Sequence, residues 1–157
     1  MLDLAQEIDL LRNIPMFAKL SPAKLKLLAF TSELVRYRAG EEVFRVGDRA
    51  DCAYVIMQGS VDILTDTDAG PVVAASLQQN QLFGELALFN GAPRNATIRA
   101  AEDVTVMKIS EEMFLKLLSE NSDLALDVMR QLSTKLDKSH HQVELLQQQL
   151  NRQNASL

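Results

Sequence analysis

Residues 83–97 read FGELALFNGAPRNAT, and this stretch interrupts a chain that is strand-like on both sides of it. Gly84 precedes a short apolar run, Leu86 to Phe89, that reads as a short helix. The first turn of a helix leaves backbone N–H groups without partners, and a glycine there lets another molecule approach closely, so the start suits an anion. Glu85 puts a negative charge in the same turn. That is sensible where its carboxylate faces a neutral donor such as a sugar hydroxyl. Further on, Arg94 supplies a planar cation whose fork of N–H groups matches phosphate oxygens.

Before this stretch, short segments rich in Val, Ile, Phe and Tyr follow one another from about Ser32 to Leu77. Gly40, Gly47-Asp48, Gly59 and Ala69-Gly70-Pro71 punctuate them. Such spacing suits an antiparallel sandwich or barrel. In the segment after Gly59, Val61 and Ile63 share one face and Asp62 takes the other, the two-residue period of a half-buried strand. Strand character resumes in residues 96–100 and 104–110 after the break. The ends of the chain are helical. Leu4, Ile8 and Leu11 share a face in a segment ending near Pro15, and Ser21 with Pro22 announces a second helix. Ser110 caps a third, with Glu111 and Glu112 placed favourably in its first turn. After a break at residues 121–123, a long helix is predicted to about residue 152. The order is helices, about eight strands, then helices, an α+β layout.

With these segments in place, residues 83–97 resemble the phosphate-binding cassette of the cyclic-nucleotide-binding family. Leu11 to Leu28, Gly40 to Asp48 and Asp51 to Val61 resemble the family's entry helices, first strands and glycine turns, so the likeness spans roughly residues 8–140. It implies an eight-stranded antiparallel jelly-roll-like β-barrel flanked by N-terminal helices and a long C-terminal helix. Residues 1–120 would form the binding domain, and residues 121–157 the long helix. The ligand contacts it implies are Phe83, Gly84, Glu85, Leu86, Ala87, Pro93, Arg94, Asn95 and Ala96. Gly84 would bring its backbone to the ligand, Glu85 would accept from the ribose 2′-hydroxyl, and Leu86 and Ala87 would offer backbone N–H groups. Arg94 would pair with the cyclic phosphate, Asn95 would add its backbone N–H there, and Ala96 and Thr97 would re-enter the barrel wall.

Base choice stays open. Relatives preferring cyclic GMP often carry Thr or Ser after the cassette arginine, and cyclic AMP binders more often Ala. Asn95 fits neither habit, and its amide can both donate and accept. Cyclic AMP is the expected ligand, with cyclic GMP as the alternative.

From Met129 a heptad continues through Leu132, Leu136, Ser139, Val143, Leu146 and Leu150. This reads as a parallel homodimeric coiled coil over residues 129–150, although a helix packed on its own barrel also carries an apolar stripe. Resemblance to the bacterial catabolite activator class places Ser139 and His140 where that class touches the base from the long helix. Ser139 keeps a hydroxyl there, and His140 departs from the pattern.

The bulk properties narrow the rest. Net charge is −5, with no Lys/Arg run, which argues against nucleic acid. No apolar run approaches membrane-spanning length, and the acidic start is no signal peptide. The one cysteine, Cys52, lies in an apolar stretch and reads as a buried structural thiol in a reducing, cytoplasmic setting. There is no nucleophile–base pair and no metal-ligand spacing, so no enzyme, cofactor or metal is expected. The expectation is a stand-alone receptor that acts through a dimer or a separate, unknown downstream protein. The alternative is a ligand-independent dimerisation module with a degenerate binding fold.

Overall fold

The computed structural model describes residues 3–155. Asp3 starts the first helix, α1 (Leu4–Arg12), with a reciprocal capping box. Its carboxylate accepts from the Gln6 N–H, and the Gln6 side chain accepts from the Asp3 N–H. A 3₁₀ turn at Pro15–Phe17 leads to α2 (Pro22–Thr31), where Ser21 accepts from the Lys24 N–H and proline sits at the first position. Both capping serines read from the sequence, Ser21 and Ser110, cap as expected.

Eight strands follow: β1 (Glu33–Tyr37), β2 (Glu42–Phe44), β3 (Cys52–Gln58), β4 (Val61–Thr67), β5 (Gly70–Leu77), β6 (Leu82–Phe83), β7 (Thr97–Ala100) and β8 (Val104–Ser110). Between β6 and β7 lies α3 (Glu85–Asn90), and after β8 come α4 (Glu111–Glu120) and α5 (Ser122–Ala155). All ladders are antiparallel. They form two four-stranded sheets in the orders β1-β8-β3-β6 and β2-β7-β4-β5. The jelly-roll-like expectation holds, with one correction: among the described residues no ladder joins the sheets into a closed barrel. Two of the four outer strands are short. β2 spans three residues and β6 two, too few to carry hydrogen bonding around the edge. The sequence pattern gave no sign of β6 at all, since two residues show no period.

The central strands carry two cores at once. In β3, Cys52, Tyr54 and Ile56 point between the sheets, joined there by Val61, Leu77, Phe83, Ile98, Ala100, Val104 and Val106. Ala53 and Val55 point the other way, into a helical layer with Leu11, Phe17, Leu28, Met107, Ile109 and Phe114. A strand buried on both faces has to be apolar throughout, which is why residues 52–57 read as a continuous apolar run. The turn between β3 and β4 needs Gly59: its φ is +92°, and a Cβ there would lie 2.5 Å from the Asp103 carbonyl oxygen.

α5 belongs to this packing only at its start. Leu124 and Val128 are buried in the helical layer, and Leu132 packs against it. Beyond Lys135 the helix stands exposed wherever its side chains are described. The break before it is fixed by Asn121, whose side-chain amide donates to the Leu117 carbonyl and accepts from the Lys24 ammonium.

Candidate ligand-binding site

A cavity of about 200 Å³ opens where α3 and the loop after it face the second sheet. Phe44, Ile63, Leu77 and Ile98 make an apolar floor from β2, β4, β5 and β7, and Phe83 closes one side. Around the rim stand Gly84 to Ala87 from the start of α3, Arg94 to Ala96 from the loop, and Lys135 from α5.

The break at Phe83–Thr97 positions these groups for clear reasons. Phe83 ends β6 stacked on Tyr54, with centroids 4.9 Å apart. Gly84 then turns the chain in the left-handed region, at φ +81°. A Cβ at Gly84 would lie 2.8 Å from Arg94 Nη1 and 3.3 Å from the Tyr54 ring, so the arginine packs where a side chain would otherwise stand. Gly91 ends α3, also with positive φ, and the chain returns towards β2. There the Arg94 N–H donates to the Asp48 carbonyl and the Arg94 carbonyl accepts from the Gly47 N–H, which ties the loop to the β2–β3 connection.

Arg94 is buried, 4% exposed. Its Nη1 donates to the Gly84 carbonyl at 2.6 Å and its Nη2 to the Cys52 carbonyl at 2.7 Å. The guanidinium carbon lies 4.2 Å from the Phe44 ring centre. These contacts hold the fork still while leaving other N–H donors for an anion. Beneath it, burial pushes the Cys52 thiol and the Tyr54 phenol up from their ordinary values. Cys52 is the buried structural thiol expected of it, 2% exposed.

Glu85 is buried still more deeply, at 1% exposed. Within the chain Glu85 also has a cationic neighbour: its Oε1 receives a hydrogen bond from Lys135 Nζ at 2.7 Å. Lys135 also donates to the Leu82 carbonyl at 2.9 Å. Sequence reasoning missed Lys135, because it lies fifty residues along, on another helix. Its placement next to the apolar seam of the long helix was the only available hint. The second carboxylate oxygen, Glu85 Oε2, is buried with no hydrogen-bond partner among the described residues. A buried acceptor left open in this way is costly unless something else satisfies it.

The remaining sequence-predicted residues divide. Leu86 is exposed and Ala87 half-buried at the start of α3, and Asn95 and Ala96 line the cavity beside Arg94. Pro93 is exposed and lies outside the cavity lining. Thr97 re-enters the sheet, its hydroxyl accepting from the Val46 N–H. His140 is exposed on α5 and pairs with Glu144 at 2.9 Å, away from the cavity lining of its own chain. Ser139 lies on the same helix, and its side chain is outside the described residues.

An apolar floor, a buried arginine and a buried carboxylate with an open oxygen line one cavity, a set of groups whose chemistry matches a small molecule carrying an anion and a hydroxyl. The chain belongs to the cyclic nucleotide-binding domain family, whose model matches residues 34–121, from β1 through the end of α4. It is 35% identical over 113 residues to a cAMP-dependent protein kinase regulatory subunit of Mycosarcoma maydis, an alignment covering 69% of this chain and 22% of that one. The sensor domain of the transcriptional regulator DNR from Pseudomonas aeruginosa superposes with a TM-score of 0.72 at 29% identity, covering 88% of this chain and 93% of that domain. The Thermus thermophilus catabolite activator protein gives 0.71 at 26% identity, covering 84% and 62%. The chain spans 22–33% of the length of the curated relatives it matches.

Among the described residues, no helix is long and apolar enough to cross a membrane, and no group of three or more His, Cys, Asp or Glu is placed to hold a metal.

Proposed function

We propose that this chain is a receptor for a cyclic mononucleotide, cyclic AMP ahead of cyclic GMP, that binds its ligand without chemistry. One observation carries the reading. Two buried side chains of opposite charge, Arg94 and Glu85, line one apolar cavity without pairing to each other, and Glu85 keeps an oxygen open. Arg94 takes the cyclic phosphate and Glu85 the ribose hydroxyl, while the purine lies over Ile63, Leu77 and Ile98. The preference for adenine draws on the cAMP-dependent kinase regulatory subunits among the relatives. Asn95, exposed at the rim, can meet either base.

Residues 1–120 form the binding domain, to whose cavity Lys135 is added from the long helix, and residues 121–157 carry the signal. Met129, Leu136, Val143, Leu146 and Leu150 are 48–70% exposed along one stripe of α5, which supports a homodimer through residues 129–150. The dimer passes the signal on to a separate protein in the cytoplasm, a setting that suits one buried, unpaired thiol.

A cyclic mononucleotide has about 22 heavy atoms, and at roughly −0.3 kcal/mol each the affinity comes to about −7 kcal/mol, a Kd near 10 μM. Calorimetric titration with cyclic AMP and cyclic GMP tests this, with saturable binding of at least one expected. The exposed stripe on α5 also favours a second reading, a dimerisation module that binds no ligand. Absence of any thermal shift at millimolar concentrations of both nucleotides decides for that one.

A further inference from the structure

We infer that Lys135 is a positioning residue that makes this site demand a ribose hydroxyl. The inference rests on the cyclic-nucleotide reading and deepens it. A carboxylate offers two equivalent oxygens and can turn about its last bond. Here Lys135 Nζ holds Glu85 Oε1 at 2.7 Å, and its second hydrogen bond, to the Leu82 carbonyl, fixes the ammonium in place. With Oε1 engaged, Oε2 is the oxygen left over, buried on a residue that lines the cavity and without a hydrogen-bond partner among the described residues. Charge compensation by Lys135 is also what allows a carboxylate to stay at 1% exposure. Without it, Glu85 turns towards water or Arg94, and no acceptor stays fixed for the sugar.

A site built around a buried acceptor rejects an analogue that lacks the hydroxyl, because the acceptor is then left unsatisfied. Removing the residue that aims the acceptor removes the discrimination. Gln131, one turn earlier on α5, supplies an internal control. Its side-chain oxygen accepts from the Leu82 N–H at 3.1 Å, so it ties the same helix to the same strand without touching Glu85.

The experiment compares Kd values for cyclic AMP and its 2′-deoxy analogue by calorimetry in four proteins: the unaltered chain, Lys135→Met, Lys135→Arg and Gln131→Ala. The unaltered chain should favour the ribose form by about tenfold or more. Lys135→Met should bring the ratio to about threefold or less, Lys135→Arg should restore most of it, and Gln131→Ala should keep it. Should the Met variant lose its fold, Lys135→Gln is read in its place. An unchanged ratio on loss of Lys135, or an equal loss in Gln131→Ala, overturns the inference and leaves cyclic-nucleotide binding intact. If the unaltered chain binds neither compound, the cyclic-nucleotide reading itself falls, and this inference with it.

Discussion

Arg94 serves the fold as well as the site. It holds two backbone carbonyls, lies over Phe44, and is nearly sealed from water. Arg94→Ala should therefore abolish measurable nucleotide binding and also cost about 2 kcal/mol of stability, from lost charge-assisted hydrogen bonds and the ring contact. The protein should still fold, since that loss is a fraction of a typical domain's stability. Calorimetry with a urea titration checks both halves, and binding at full strength in the variant would refute the phosphate assignment. Gly84 is coupled to the same side chain. Gly84→Ala combines a left-handed backbone with a Cβ 2.8 Å from Arg94 Nη1. We expect about 1–3 kcal/mol of destabilisation and affinity at least tenfold weaker, because the arginine has to move. Near-normal binding in that variant would mean the fork is not held where the ligand needs it.

At the scale of the element, α5 changes its role along its length. Its first turns anchor Leu124 and Val128 in the helical layer, Lys135 reaches the cavity, and among the described residues the remainder is exposed. Leu136 is 70% exposed and Val143 48%. Side chains so open contribute little to the folding of one chain, so their substitution separates association from stability. Leu136→Glu combined with Val143→Glu should convert the proposed dimer to a monomer in sedimentation equilibrium, with the melting temperature of the monomeric fold moved by no more than a few degrees. A doubly substituted chain that still sediments as a dimer places the interface elsewhere.

For the whole molecule, the inter-sheet core sets an alkaline limit on stability. Burial raises the Tyr54 phenol, the Cys52 thiol and the Tyr37 phenol, from ordinary values of 10.0, 9.0 and 10.0. Each group keeps its proton in the folded chain at a pH where the unfolded chain has released it. Above pH 9.0 the folded state therefore binds more protons, and stability falls as pH rises, whereas below that value these groups leave it unchanged. Thermal melts should show a decline between pH 9 and 11 that is shallower in Tyr54→Phe. Equal slopes in the two proteins would remove Tyr54 as a cause.

How much of this could be read in advance differs by element. The helix starts at Ser21 and Ser110 were legible because capping is local: one hydroxyl accepts from an N–H three residues on. The apolar run of β3, the turn at Gly59 and the cassette itself were legible for the same reason, since each depends on neighbours in the chain. β6 was not, because its two residues become a strand only by pairing with Val55 and Tyr54. Nor was the opening of the barrel into two sheets, which depends on how short strands meet in space. The cassette's arginine and glutamate could be given separate roles from their chemistry alone. Which groups hold them could not: Arg94 rests on carbonyls from β3 and the turn before α3, and Glu85 on a lysine from a helix fifty residues away. Local sequence determines hydrogen bonds that close within a few residues. Packing alone determines which distant charge compensates a buried one.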